Sequence, residues 1–548
     1  MTFCRVDPCL KAPPEHLYLV LPKVTAPLSV TPAIVGSKAY GLMQLARLGL
    51  PVPPAFVLDT ALCREYLEHQ RIPAATSAML AFGIERLEES TGREYGSERR
   101  PLLVAVRSGA PVSMPGMMET ILNIGLTEQS LAGLLRSTGN PRQAHDCYRR
   151  LVRDFTEVVH GAAAAPFDAI VERHCTEQGV TNTRALDSVA LGTIAEESLE
   201  LALAASGEPF PQDPMSQLLQ AVEAVWRSWN SDKARHYRLL NRIDDSMGTA
   251  VTIQAMVFGN SGAKSGAGVG FTRDPATGEN RLYFDFLFNA QGEDVVAGRQ
   301  HGEDTAQLSR RLPYVAEELE RLRGVLEREL GDMQDFEFTV ENGRLYLLQT
   351  RAGKRTPWAA LRIAVDLVRE GRATSAEALR YLDGLELDRI ERWELERNLG
   401  APPLASAVSA SIGVATGRVV FDSHRAVALA REGEPVILAR PDIHTGDLEG
   451  IAAAAGILTS AGGRTSHAAV VARQLGKVCL VSCRLLRIDS DGRAGWIGSA
   501  RVTQGDEITL DAEHGDVYAG RLPTVRRVPE QELAEVARWR AAAAQRQG

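Results

Sequence analysis

Gly456-Ile457-Leu458-Thr459-Ser460, running into Ala461-Gly462-Gly463-Arg464-Thr465-Ser466-His467-Ala468-Ala469-Val470-Val471-Ala472-Arg473-Gln474-Leu475-Gly476-Lys477, is the stretch that organises this chain. Its first five residues predict a short buried strand, Ala468 to Leu475 predict a helix, and Gly476 predicts the left-handed stop behind it. His467 then stands where a glycine turn feeds a helix N-terminus. Unpaired N–H groups and the positive end of the helix dipole gather at such a point, which suits a bound phosphate and favours a neutral imidazole. A neutral imidazole is a nucleophile, and the same donors would hold a phosphoryl group on its ring nitrogen. A lone histidine is ordinarily a core or capping residue. Two glycines, the hydroxyls of Thr465 and Ser466 and the helix start turn the reading toward chemistry.

Around this stretch, residues 406–521 read as a compact α/β unit, with strands at Gly413 to Phe421, Pro435 to Arg440 and Asp506 to Asp511. Residues 522–548 read as a charged helical tail, and 356–405 as a charged helical linker with leucines at helical spacing. The 548 residues, 45% apolar and 24% charged, suffice for three or four domains with real cores. A net charge of −8 provides no global basic field for nucleic acid or an anionic membrane, so phosphate binding must come from local sites. No apolar run reaches the roughly 18 residues of a membrane span, and no leader pattern opens the chain. Seven cysteines, odd in number and mostly scattered, favour reduced thiols and a cytoplasmic enzyme; Cys479 and Cys483 lack a second pair for zinc.

In the N-terminal part, Gly36-Ser37-Lys38 begins a helix, and Lys38 is placed either to reach a nucleotide phosphate or simply to face solvent. Leu102 to Val106 predicts a buried strand ending in Arg107, which fits a bidentate phosphate clamp or a structural ion pair equally. Residues 126–245 predict a helical insert with Trp226, Trp229 and Tyr237 as core. Val251 to Phe258 predicts a strand, followed by a run rich in glycine (Gly259, Gly262, Gly266, Gly268, Gly270). That run fails the Walker A pattern but fits a flap laying N–H groups of Gly262, Gly266 and Gly268 over a polyphosphate, or a mobile hairpin tip. A further strand runs into a polar turn that exposes Glu293 for ribose or metal.

Asp335-Phe336-Glu337-Phe338-Thr339-Val340, Glu341-Asn342-Gly343 and Arg344 to Arg351 predict a hairpin turning at Asn-Gly. A three-residue loop would set Asp335, Glu337, Gln349 and Arg351 on one face; a two-residue loop would split them. Carboxylate and amide oxygens suit Mg²⁺, and an arginine beside them suits a phosphoryl group in flight. A purely structural polar face is the alternative.

Several separated segments, in order across nearly the whole chain, carry a resemblance. They are Ala105-Val106-Arg107-Ser108-Gly109-Ala110, Ser113-Met114-Pro115-Gly116-Met117-Met118, Gly270-Phe271-Thr272-Arg273-Asp274-Pro275, Asn289 to Gly298, Leu348-Gln349-Thr350-Arg351 and the His467 stretch. Together they resemble the pyruvate, phosphate dikinase family rather than the related phosphoenolpyruvate synthases or antibiotic phosphotransferases. The resemblance implies an α/β (α+β) chain: an ATP-grasp domain in two parts (1–125 and 246–355) around the insert, then the linker and a swivelling phosphohistidine domain. It implies that ATP and phosphate react with Mg²⁺ to give AMP, pyrophosphate and phosphohistidine. Lys38, Arg107, Glu293 and Arg351 would bind nucleotide and phosphates, Glu337 and Gln349 the metal, with Asp335 added by the hairpin reading, and His467 would be the acceptor. Thr465 matches a threonine that a regulatory kinase phosphorylates in some members; a phosphate there would repel the incoming phosphoryl group.

Two departures from the family pattern are expected to matter. Arg464 stands where the family usually has methionine, adding a cation near the acceptor. Full-length dikinases continue into a pyruvate-binding barrel of about 250 residues, against 27 here after the phosphohistidine unit. The expectation is an autophosphorylating front half whose acceptor site sits on a separate polypeptide, with homodimerisation as the assembly. The alternatives are transfer to an unrelated small molecule or protein, and a non-catalytic ATP-binding remnant; the retained Glu337, Gln349, Arg351 and His467 count against the last.

Overall fold

The computed structural model describes residues 13–22, 29–112, 114, 117–296, 305–396, 400–443, 447–464, 466–489 and 491–547; for Leu240, Val296, Thr305, Ala306, His467, Arg546 and Gln547 only the backbone is described. Helix and sheet are mixed throughout, and the chain divides into two compact units: Met1–Ser265 with Thr339–Arg351, and Gly266–Phe338 with Ala352–Gly548.

The first unit is built on an antiparallel five-stranded sheet in the order Leu17–Val20, Ala55–Leu58, Ala250–Ala255, Val104–Gly109, Thr120–Ile124. Strand alternation sorts its side chains. Ala55, Val57 and Ala250 meet helix Pro32–Arg47 through Val35, Ala39, Leu42 and Met43, while Phe56, Leu58, Val106 and Ile253 enter the larger core on the opposite face. That larger core receives the helices between Glu128 and Asn241, whose Trp226 and Trp229 are fully buried. Tyr237 is only partly buried against it.

Two sequence readings change here. The strand expected to end at Arg107 continues to Gly109, so Arg107 is paired within the sheet, opposite Thr252 and Thr120. The Asn-Gly loop is two residues long: strand Gln334–Glu341 stops at Glu341, strand Arg344–Ala352 starts at Arg344, and Asn342 (φ 49°) and Gly343 (φ 83°) are both left-handed, as a type I′ turn requires. The three-residue loop that would have put Asp335, Glu337, Gln349 and Arg351 on one face is absent, and with it that argument for their sharing a face.

In the second unit, strands Gly266–Phe271 and Tyr283–Phe288 pair antiparallel. Gly266, Gly268 and Gly270 are buried strand residues rather than flap residues: a Cβ at each would stand 2.2, 2.4 and 2.6 Å from ring atoms of Phe286, Phe338 and Phe336. The phenyl rings require those glycines, and the glycine-rich loop shortens to Met256 to Ser265. The Thr272-Arg273-Asp274-Pro275 motif is likewise structural. Arg273, fully buried, forks onto both carboxylate oxygens of Glu327 at 3.0 Å and reaches Glu370 at 2.7 Å, tying helices Pro313–Leu330 and Pro357–Arg369 to the hairpin.

The remainder of this unit is an eight-stranded mixed sheet. Its centre, Val414–Val420, Val436–Arg440, Gly456–Thr459 and Val478–Val481, is parallel. Helices Ser423–Arg431, Leu448–Ala453 and His467–Gln474 connect these strands and cover one face; a three-stranded meander spanning residues 486–503 covers the other through Leu486, Ile497 and Val502. The segment read as a tail is integral. Strand Thr524–Arg527 pairs with Arg392–Leu395, and Leu533, Val536 and Trp539 of helix Glu530–Gln547 pack on helices Pro357–Arg369 and Ser375–Tyr381. No helix among the described residues is long and apolar enough to cross a membrane.

Candidate functional site

Lys38 lies one turn into helix Pro32–Arg47, just past a kink at Gly36 (φ 77°, ψ 157°). Glycine is obligatory there, because a Cβ would stand 1.9 Å from the carbonyl oxygen of Gly109. The Ser37 N–H and hydroxyl both donate to the Ala110 carbonyl at 3.0 Å. Two hydrogen bonds and one close backbone approach thus staple the turn carrying Lys38 to the end of the strand carrying Arg107.

Pairing opposite Thr252 puts Arg107 on the same sheet face as Thr252 and as Gln254 two residues further along that strand. Its guanidinium donates to Gln254 Oε1 at 3.3 Å and to the Leu348 carbonyl at 3.4 Å. On the helix, Gly41 admits the Thr350 carbonyl so closely that a Cβ would meet it at 2.5 Å. Within this unit, therefore, the Lys38 helix, the Arg107 strand and the Leu348-Gln349-Thr350-Arg351 segment converge. Thr252 Oγ1 and Gln349 Oε1 are buried there without hydrogen-bond partners. Buried orphan oxygens are rare and costly unless a ligand completes them. A buried amide oxygen with no donor fits the hard ligand set of Mg²⁺.

The glycine-rich loop is tied at both ends. Asn260 donates to Asp146 Oδ2 at 2.9 Å on insert helix Pro141–His160. At the other end, Gly343 N–H donates to the Lys264 carbonyl at 2.8 Å and Asn342 N–H to Ser265 Oγ at 2.9 Å. Between these roots Gly262 has φ 123° and open space around its Cα. Burial by itself would raise the Asp146 carboxyl, but Arg150 and Arg149, at 3.2 and 2.5 Å, outweigh it together with Asn260 and hold it far below the usual carboxylate range. This anchor carried no sequence signal: Asp146 and Asn260 are 114 positions apart.

In the second unit, Asp335 is buried and Glu337 partly exposed on strand Gln334–Glu341, and Glu293 is exposed in the five-residue helix Gly292–Val296. Among the described residues, no three His, Cys, Asp or Glu side chains are grouped to hold a metal.

His467 opens helix His467–Gln474 directly after Ser466, whose Oγ caps the helix by accepting from Ala469 N–H at 3.4 Å. The turn before it is held from three sides: Ser482 Oγ donates to the Gly462 carbonyl, Ser466 N–H to the Gly463 carbonyl at 3.1 Å, and Arg473 Nη1 to the Arg464 carbonyl at 2.7 Å. Gly462 (φ 95°) and Gly476 (φ 63°) are left-handed. Ala468, Ala469 and Ala472 face the sheet. Thr465 lies outside the described residues, and so does the His467 side chain. The Arg464 guanidinium stands 5.1 Å over the Tyr283 ring.

Comparison with known proteins finds two matched regions. Residues 76–314 match the family described as pyruvate phosphate dikinase, AMP/ATP-binding domain, and residues 432–515 match PEP-utilising enzyme, mobile domain. Pyruvate, phosphate dikinase of Rhizobium meliloti (strain 1021) is 41% identical over 92% of this chain and 58% of its own length. The Clostridium symbiosum protein of the same name is 42% identical over 90% and 57%, and the chloroplastic pyruvate, phosphate dikinase 1 of Zea mays 41% over 89% and 52%. The chain thus spans little more than half the length of the curated relatives it matches.

Proposed function

Because this chain belongs to the pyruvate, phosphate dikinase family, we propose that it carries out the ATP- and phosphate-dependent half of that chemistry. A ring nitrogen of His467 attacks the β-phosphorus of ATP and AMP leaves. The γ-phosphoryl group is passed to inorganic phosphate as pyrophosphate, and the β-phosphoryl group stays on the histidine. The observation that supports this best is the convergence of the Lys38 helix, Arg107 and the orphan oxygen of Gln349 within one unit.

In this reading Lys38 and Arg107 hold the phosphates, Arg107 with a forked cation suited to them. Arg351 balances charge as the phosphoryl group moves, Glu293 engages the nucleotide, and N–H groups of the loop at Gly262 cover the phosphates. Gly266 and Gly268 sit at the root of that loop, where packing already demands glycine. Glu337 and Gln349, with Asp335, would hold Mg²⁺, which supplies charge neutralisation on the polyphosphate when bound. The N–H groups of the helix start would donate to the phosphoryl group once it is on His467. A phosphate on Thr465 would oppose that transfer. The enzyme works in the cytoplasm, where Cys63, Cys147, Cys175, Cys479 and Cys483 stay free.

The test is incubation with Mg²⁺ and β-labelled ATP, with and without phosphate, scored for acid-labile, base-stable label. Phosphate-dependent label that disappears in His467→Ala is expected. Wild-type protein that binds ATP yet takes no label would overturn the reading.

A further inference from the structure

Two arginines of the His467 segment stand over two aromatic rings of one hairpin. The Arg464 guanidinium is 5.1 Å from the Tyr283 ring centre, and that of Arg473 is 5.4 Å from the Phe271 ring centre. Phe271 and Tyr283 are directly opposed across strands Gly266–Phe271 and Tyr283–Phe288 and meet edge to face at 6.1 Å. Both belong to a buried cluster with Met333 and with Ala359, Ile363 and Leu367 of helix Pro357–Arg369.

The two arginines are not equivalent. Arg473 is fully buried, and its Nη1 clamps the carbonyls of Arg464 and Ala410 at 2.7 and 3.0 Å, while Nε and Nη2 have no hydrogen-bond partner. A buried cation with two unpaired N–H groups is costly in water-free surroundings unless another negative surface compensates, and the face of an aromatic ring provides one. Arg464 is only partly buried and has no ion-pair partner among the described residues, so the Tyr283 ring is its contact. Beside it the turn approaches the hairpin so closely that a Cβ on Gly463 would stand 3.2 Å from Asp285 Oδ2.

We infer that Arg464–Tyr283 and Arg473–Phe271 form a latch seating the phosphate-acceptor turn on this hairpin: Arg473 is its fixed half, Arg464 its releasable half, and both are positioning residues for phosphoryl transfer to His467. For transfer the latch rests on the function proposed above; for seating the turn it does not. A desolvated cation–π contact predicts a 2- to 30-fold effect, roughly. It also predicts that the ring, not the phenol hydroxyl, matters at position 283.

The experiment compares wild type with Arg464→Met, Tyr283→Leu, Tyr283→Phe and the Arg464→Met/Tyr283→Leu double variant. Three readouts are taken: amide exchange over residues 459–476, the rate of labelling from β-labelled ATP, and ATP affinity. Arg464→Met and Tyr283→Leu should each speed exchange in that segment and slow labelling by the same factor, leave ATP affinity unchanged, and together do no more than either alone. Tyr283→Phe should match wild type. Additive effects, unchanged exchange in Arg464→Met, or a Tyr283→Phe as impaired as Tyr283→Leu would overturn the latch. If wild-type protein takes no label, the proposed function falls and exchange alone decides on the latch. Should Tyr283→Leu fail to fold, Arg464→Met against Tyr283→Phe still decides.

Discussion

Asn260 donates its side-chain amide to Asp146 Oδ2 at 2.9 Å, fastening the root of the glycine-rich loop to a helix of the insert. Asp146 also carries Arg149 and Arg150, so one nearly buried carboxylate organises a helix surface and a loop together. Asn260→Ala should cost about 1–2 kcal/mol, the loss of one charge-assisted hydrogen bond, and weaken ATP binding by loosening the loop. Asp146→Asn strands two arginines and should cost about 3–5 kcal/mol. Urea denaturation with ATP titration checks both.

The same carboxylate predicts a pH dependence. Its folded pKa is depressed, so its contribution is present above the unfolded value of about 3.9 and is lost as pH falls through the lower folded value. Wild type should therefore lose stability below about pH 4 faster than Asp146→Asn does. Parallel acid limbs in stability-against-pH curves would contradict this.

Gly36 offers the sharpest steric prediction. With φ 77° and a would-be Cβ at 1.9 Å from Gly109 O, Gly36→Ala must push the Lys38 turn off the Arg107 strand. The expected loss is about 3 kcal/mol or more, and ATP affinity should fall beyond what partial unfolding explains. Calorimetric melting alongside ATP titration separates the two.

Two glycines of the same run should behave differently. Gly268→Ala drives a methyl into the Phe338 ring and should lower stability by about 1–3 kcal/mol, with ATP affinity of the folded fraction intact. Gly262→Ala meets no neighbour but strains its backbone at φ 123°; it should lower stability by only about 1 kcal/mol and principally weaken ATP binding.

Gln349 separates stability from function. Its Oε1 is buried without a donor, so Gln349→Leu removes an unsatisfied atom and should leave the melting temperature equal or higher. If that oxygen serves Mg²⁺, the same variant should lose the Mg²⁺ dependence of ATP binding, measured by titrating Mg²⁺ at fixed ATP.

What was legible in the sequence was local. The Gly462-Gly463 turn, the helix after it and the Gly476 stop were readable because each is decided within a few residues by backbone sterics, whereas the Ser466 cap was not singled out. The helical insert and the strands Val414–Val420, Val436–Arg440, Gly456–Thr459 and Glu507–Asp511 were readable because apolar period and turn residues are also short-range signals; their parallel or antiparallel pairing was not. The matched families added which known domains those elements resemble.

Tertiary structure decided what depends on residues distant in sequence. It moved Gly266 and Gly268 from a flap to a strand, because only the folded chain brings Phe286 and Phe338 onto them. It made the apparent tail part of the core through Val536 and the ribbon Arg392–Leu395 with Thr524–Arg527. Arg273, Arg473 and Asp146 read as three ordinary charges along the chain, and burial gave each a task. Spacing orders residues along a strand or helix, but desolvation and close contact arise only when distant segments meet, and those set the energies of these groups.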